Sequence, residues 1–348
     1  MMTTLLSRRT RRGPSPEQKE PVTVEEGTSA AEWVRRVMSR QETTLAIVVV
    51  VVGVLAAMKS DLFLDSDNLL EILRSSVIYF VMGCGAGLLI IGGGLDFAAG
   101  AIFTLSALMA SKMLVSSVPW PIAILGGLAL AALVGAINHV VITYWHVPPI
   151  IATLGMFYML TGVDNLVTGG NDVIGLPQVV QDIGQGSILG VPNIVLIAIV
   201  VGLWFWVLLE RTRFGVNVRA LGGNRAAAVA NGVRATRVDL ALYVLSAVTA
   251  GLAGVIYSAR VGSAQVTAGG SSTTLIVVTA VLIGGVSLLG GLGSIQGIAI
   301  GAVLLSLIDN ALVLSNIPPQ YNTIVVGAIL VGAVAIDHLR RERIFRKR

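Results

Sequence analysis

Residues 210–237 read ERTRFGVNVRALGGNRAAAVANGVRATR, the longest polar interruption between two strongly apolar halves of the chain. Arg211, Arg213, Arg219, Arg225, Arg234 and Arg237 stand here against a single acid, Glu210. Lys and Arg accumulate on the cytoplasmic side of membrane proteins, so this stretch is expected inside the cell. Gly222-Gly223-Asn224 reads as a turn, with Asn224 placed to cap a following helix through its side-chain oxygen. Four of the six residues from 225 to 230 are alanine, a strong helix former with little bulk. Asn231-Gly232 then stops the helix, glycine being the usual left-handed cap. The expectation is a two-turn helix with a nearly bare face, including Ala227 and Ala228, held between glycine hinges. A bare face lets another protein approach closely. The competing reading is a solvated connector, as most loops are. Hinge, cap, small face and stop together favour a docking element.

The halves on either side set the fold class. Of 348 residues, 55% are hydrophobic and only 12% charged, with mean hydropathy +0.84. A soluble protein carries about 25% charged residues. Apolar runs of about 20 residues recur, each long enough to span a bilayer. The chain therefore reads as an all-α polytopic membrane protein. Ten spans are expected, at 43–58, 69–91, 97–114, 121–145, 150–168, 192–209, 238–259, 274–288, 295–314 and 321–336. The region 169–191, with Asp172 and Asp182 but no Lys or Arg, is the longest outer loop. A pI of about 9.7 raises nucleic acid as a partner. The basic residues, however, sit in blocks beside spans, as the positive-inside rule produces, and membrane lipid is the expected surroundings. Cys84 is the only cysteine, so no disulfide can form within the chain.

Three basic blocks hold the topology. Residues 1–42 form an expected cytoplasmic tail, mostly disordered, with eight Lys or Arg and prolines at 14, 16 and 21. A short amphipathic helix is expected on the inner leaflet around 30–40. The tail is too long and polar for a cleavable signal. Residues 338–348 form an expected basic cytoplasmic tail, leaving 43–337 as the transmembrane domain, with the basic loop 210–237 inside it. The three blocks hold 20 of the 24 Lys and Arg. Six spans before the loop and four after it place all three blocks, and both termini, inside.

Glycine is the second clue. The stretches IIGGGLDFAAG, with Gly93 and Gly94, and LIGGVSLLGGLGS, with Gly284 and Gly285, cluster glycines more densely than helix packing alone asks. Adjacent glycines break helices, and broken backbone at membrane depth is tolerated where it is buried or lines a water-filled path. Two glycine-broken segments near a central pathway are expected. An old duplication is conceivable, but the distances to the later Pro-Pro pairs differ, 93 to 148 against 284 to 318, and no repeat is claimed.

Polar residues inside spans complete the inventory: Asp96, Asn138-His139, Thr153, Asp164-Asn165 and Asp309-Asn310. Intramembrane ionisable groups are costly and often mark transport paths. Asp96 reads equally well as an N-cap of the next helix. His139 reads as a packing residue near the inner interface. No HExxH, no Cys/His cluster and no P-loop is present; the only Lys followed by Ser or Thr is Lys59, with Met58 before it. If ATP drives this protein, another chain binds it.

At this point four ordered motifs resemble those of the membrane subunits of bacterial ATP-binding-cassette sugar importers, the branch that includes the ribose permeases. Residues 93–100, GGLDFAAG, are similar to that family's GGIDLSVG. Residues 147–155, VPPIIATLG, resemble VPPFIATLG. Gly222-Gly223-Asn224, Ala227-Ala228 and Gly232-Val233 match the family's cytoplasmic Gly-Gly-Asn element in spacing, and residues 283–294 complete the pattern. The likeness covers about 45–337. Departures are Phe97 and Ala98 in place of Leu and Ser, and Asn231 in place of Ser.

The resemblance implies a permease without catalytic residues, cofactor or metal of its own. It pairs with a second permease, identical or paralogous, with cytoplasmic ATPase subunits that hold ATP and Mg, and with an extracytoplasmic substrate-binding protein. The substrate is a monosaccharide or related polyol. Arg219, Gly222, Gly223, Asn224, Ala227, Ala228, Asn231 and Gly232 are the expected coupling residues. Gly93, Gly94, Asp96, Asn138, Thr153, Asn165, Gly284, Gly285, Asp309 and Asn310 are expected along the path. The rival class is an ion-coupled secondary transporter or channel using Asp96, Asp164 or Asp309. An intramembrane hydrolase ranks last, for want of a nucleophile motif.

Overall fold

The computed structural model describes residues 41–345. The tail expected to be disordered, its amphipathic helix at 30–40, and residues 346–348 lie outside the described residues. Apolar stretches of the lengths found here satisfy backbone polar groups in lipid only as helices, and helices they are. In chain order these are α1 (Gln41–Ala57), α2 (Ser66–Ile91), α3 (Ala99–Val115), α4 (Trp120–Tyr144), α5 (Pro149–Thr168), α6 (Gln178–Gln185), α7 (Asn193–Arg211), α8 (Arg213–Gly223), α9 (Arg225–Ala230), α10 (Ala235–Val261), α11 (Ser271–Ile283), α12 (Ile295–Leu314) and α13 (Pro319–Phe345). By length and composition, α2, α4, α5, α7, α10 and α12 can each cross a membrane. The shorter apolar helices are residues 45–57 of α1, α3, α11 and residues 320–335 of α13.

Helix α10 is the axis of the bundle and packs on α2, α3 and α4. Its face is built from small residues, Ala247, Ala250, Gly251, Ala253 and Gly254, all on the buried side. A Cβ on Gly254 would lie 2.1 Å from Phe103 O, and one on Gly85 of α2 would lie 2.0 Å from Thr249 Oγ1. Backbones that meet this closely associate by van der Waals contact, the force left to helices surrounded by lipid. The apolar window of α2 is 78% buried and that of α5 only 22%, so α2 is central and α5 peripheral.

The region 169–191, expected as the longest outer loop, is not an open loop. Strand β1 (Val173–Ile174) pairs antiparallel with β4 (Ser263–Ala264), Val173 opposite Ala264. Strands β2 (Ser187–Ile188) and β3 (Val191–Pro192) form a second antiparallel pair. Between them α6 lies across the end of α10, where a Cβ on Gly184 would come 2.2 Å from the Ala259 carbonyl carbon. The expected span 274–288 is also corrected. Helix α11 starts at Ser271 and stops at Ile283, because Gly284 and Gly285 end it.

Candidate functional site

Both glycine clusters terminate a helix by the same hydrogen bonds. At the end of α2, Gly92 N donates to Leu88 O (3.1 Å), Gly93 N to Ile90 O (2.9 Å) and Gly94 N to Leu89 O (3.0 Å). At the end of α11, Gly284 N donates to Ala280 O (2.9 Å), Gly285 N to Leu282 O (3.0 Å) and Val286 N to Val281 O (3.2 Å). Gly93 has φ +87° and Gly285 φ +90°. This is the Schellman closure, whose left-handed position favours a residue without Cβ.

The basic stretch folds into an elbow of two helices rather than one. Thr212 turns the chain out of α7, and its Oγ1 accepts the Gly215 N–H at 3.3 Å to cap α8. Val218 and Leu221 anchor α8 in the core. Asn224 then caps α9, its Oδ1 accepting the Ala227 N–H at 3.0 Å. Gly232, at φ +87°, follows. Arg225 pairs with both carboxylate oxygens of Asp239 (2.5 and 3.2 Å), tying α9 to the start of α10. That contact holds the guanidinium above its ordinary pKa.

One expectation for this element is corrected. Ala228 is buried within the chain's own core and is not part of an open face. The exposed face is Ala226, Ala227, Val229 and Ala230, flanked by exposed Asn231 and Gly232. A six-residue helix of near-uniform alanine has no periodic contrast from which the buried position could be read.

Gly222 brings the elbow and both breaks together. A Cβ there would lie 1.9 Å from Ile91 O and 2.6 Å from Gly291 N. Those two atoms are themselves hydrogen-bonded, Gly291 N donating to Ile91 O at 2.8 Å. On the other side, a Cβ on Gly290 would meet Gly222 O at 2.8 Å, and one on Gly291 would meet Gly223 Cα at 3.1 Å. Arg219 forms an ion pair with Glu210 and reaches Gly293 O at 3.3 Å. Backbone of three segments thus meets at one point with no side chain between. Gly223 is not the packed residue: the space around a Cβ there is open.

Coupling and path residues expected as separate sets therefore come close here: Gly93 and Gly94 end α2, which the elbow touches, and Gly284 and Gly285 end α11, whose following loop carries Gly290 and Gly291 to the elbow. The other path candidates are held differently. Asp96 Oδ1 accepts the Ala98 N–H at 2.9 Å, an Asx turn just ahead of α3 rather than a cap inside it. Its second oxygen is buried without a partner, as are both side-chain polar atoms of Asn138. Thr153 Oγ1 donates to Pro149 O (2.9 Å) and Asn165 Nδ2 to Thr161 O (2.8 Å), each on its own helix. Asp309 accepts from Asn322 (2.7 Å), and Asn310 exchanges amide bonds with Asn68 (2.8 and 3.1 Å). Among the described residues no hydrogen bond joins one path candidate to another. None of their His, Cys, Asp and Glu side chains gather in threes as metal ligands would.

A second polar cluster escaped the sequence reading. Arg260, near the end of α10, pairs with Glu71 and donates to Ser75 Oγ at 3.2 Å. Tyr257 Oη donates to Gln265 Oε1 at 2.9 Å, and Asp172 accepts the Val266 N–H at 2.9 Å. The available signal was Arg260 itself, one of only four basic residues outside the three blocks.

Residues 68–334 match the family described as branched-chain amino acid transport system / permease component. The D-allose transport system permease protein AlsC of Escherichia coli K12 is 32% identical over 297 residues, 85% of this chain and 91% of that protein. The ribose import permease protein RbsC of Bacillus subtilis 168 is 36% identical, over 84% of this chain and 90% of that one. The galactose/methyl galactoside import permease protein MglC of Haemophilus influenzae is 30% identical, over 86% and 95%. No solved structure matches the chain.

Proposed function

The chain belongs to the permease-component family that it matches over residues 68–334, and on that premise we propose that it carries a monosaccharide or related small polar solute inward, as the membrane subunit of an ATP-binding-cassette importer. It is a multi-pass protein of the bacterial cytoplasmic membrane. Ten crossings, with both termini inside, follow from the three basic blocks on one side. The names of the allose, ribose and galactose relatives support the substrate class. A neutral solute needs no charged path. Two copies, or this chain and a paralogue, enclose the route, and a binding protein delivers substrate from outside. ATP and Mg belong to separate ATPase subunits, since this chain carries no P-loop.

The observation that carries the mechanism is the seating of Gly222 on Ile91 and Gly291. A push on the exposed face of α9 reaches α8 and, through bare backbone, the end of α2 and the loop that follows α11. Contacts without side chains leave no rotamer to absorb the displacement, so motion passes to the helices that border the route.

The test uses proteoliposomes holding this chain with its ATPase and binding protein. Uptake of labelled ribose, allose or galactose should require ATP and survive a protonophore. Uptake abolished by the protonophore with ATP present would restore the ion-coupled reading. Ala227→Trp, on the exposed face, should lower ATPase association while insertion stays normal. Unchanged association and transport would make α9 a plain connector.

A further inference from the structure

Helices α2, α7 and α12 leave a groove of about 580 Å³ between them. Val77 and Ala198 are buried in its floor, and exposed Ile199 and Leu203 form its rim, so it opens sideways. The floor is drawn tight at Gly202, where a Cβ would come 2.6 Å from Phe80 Cζ. Of its lining side chains only Ser76 and Gln296 carry a hydroxyl or amide, and Ser76 donates its hydroxyl to Leu73 O at 2.8 Å. Along α7 the groove runs from Val195 to Trp206, about 16 Å at the helical rise. That is close to half of the roughly 30 Å hydrocarbon core, the depth of a single leaflet.

The end at Trp206 is chemically distinct. The Arg211 guanidinium lies 5.4 Å above the Trp206 ring. Tryptophan prefers the membrane–water boundary, which places this end at headgroup level. Arg211 is exposed and has no carboxylate partner among the described residues. The acid beside it in sequence, Glu210, is engaged by Arg219. An apolar slot one leaflet deep, ending at a cation over an aromatic ring with no carboxylate partner among the described residues, suits a phospholipid with an anionic head.

We infer that this groove holds one anionic phospholipid from the leaflet bordering Arg211, with an acyl chain along α7 and its phosphate on the guanidinium. Binding requires only that the groove lie in a bilayer, and does not depend on what the protein transports.

The full chain is reconstituted into nanodiscs of equal parts dioleoyl phosphatidylglycerol and dioleoyl phosphatidylcholine, and its retained lipid is read by native mass spectrometry. One phosphatidylglycerol per chain is expected, preferred about fivefold over phosphatidylcholine, the discrimination one interfacial arginine supplies. Ala299→Trp fills the slot and should remove the bound lipid. Arg211→Gln, a surface change that leaves the bundle intact, should keep a lipid but lose the preference for the anionic head. Equal retention of both lipids by the unaltered chain, or an undiminished preference in Arg211→Gln, overturns the inference. So does a correctly folded Ala299→Trp that still carries phosphatidylglycerol.

Discussion

Beyond Gly93 the chain enters α3 at Ala99, whereas beyond Gly285 it runs on to Ser294 before α12 begins. The shorter exit is fixed by the Asx turn of Asp96 on Ala98. The longer one closes a turn of its own, Ser287 N donating to Leu292 O at 3.0 Å, and offers the Gly291 N–H to Ile91. Two identical helix ends thus acquire different partners: the second break clasps the first, and Gly222 bears on the clasp. A cap motif fixes how a helix stops. What the freed backbone then touches is decided by the rest of the fold.

The largest expected effect comes from parting these segments. Gly222→Ala puts a Cβ 1.9 Å from Ile91 O, backbone that cannot rotate away. Overpacking of this kind costs roughly 1–3 kcal/mol. Transport should fall at least about fivefold, the factor that 1 kcal/mol represents. Gly223→Ala, one residue on and facing open space, should retain near-normal uptake in the same proteoliposomes. Equal behaviour of the pair would remove Gly222 from the coupling route.

The next effect tests whether the two closures are equivalent. Gly93→Ala and Gly285→Ala each force a Cβ into left-handed backbone, at about 1–2 kcal/mol. Matching losses of thermal stability in detergent are expected, because the hydrogen-bond patterns match. If one loss exceeds the other by as much as the strain itself, the likeness of the breaks ends at their geometry.

How much of this was legible follows from the range of each interaction. Asn224 reaches only to Ala227, so its cap could be read from sequence, and the glycine pairs that stop α2 and α11 could be read for the same reason. Helix α8 was missed, because RFGVNVRALGG mixes polar and apolar residues and ends in two glycines. Its stability comes from Val218 and Leu221 reaching the core. Gly222 and Gly223 are indistinguishable by type, and only tertiary contact makes one a wedge and the other free. Helix α6 is eight residues, held by docking on Ala259 and a Gln185–Arg260 bond, contacts between residues 75 apart in sequence.

The smallest effect belongs to Asp96, where the short exit and the rival ion-coupled reading meet. Its function in the fold is to accept one buried N–H, and an Asn side-chain oxygen accepts it equally well. Asp96→Asn should therefore keep most of the transport rate and nearly all of the stability. Asp96→Ala removes the acceptor and strands the Ala98 N–H in the interior, at about 1–3 kcal/mol. The order unaltered ≈ Asn > Ala, in both melting temperature and uptake, is what a turn-forming residue produces. A proton or cation site gives another order. There the charge itself is required, so Asn and Ala would both abolish uptake while Asn still melted like the unaltered chain. Measuring the two properties on the same three preparations separates the cases. A normal melt with no uptake for Asp96→Asn would show that the short break carries an ion, and that the two breaks differ in chemistry as well as in route.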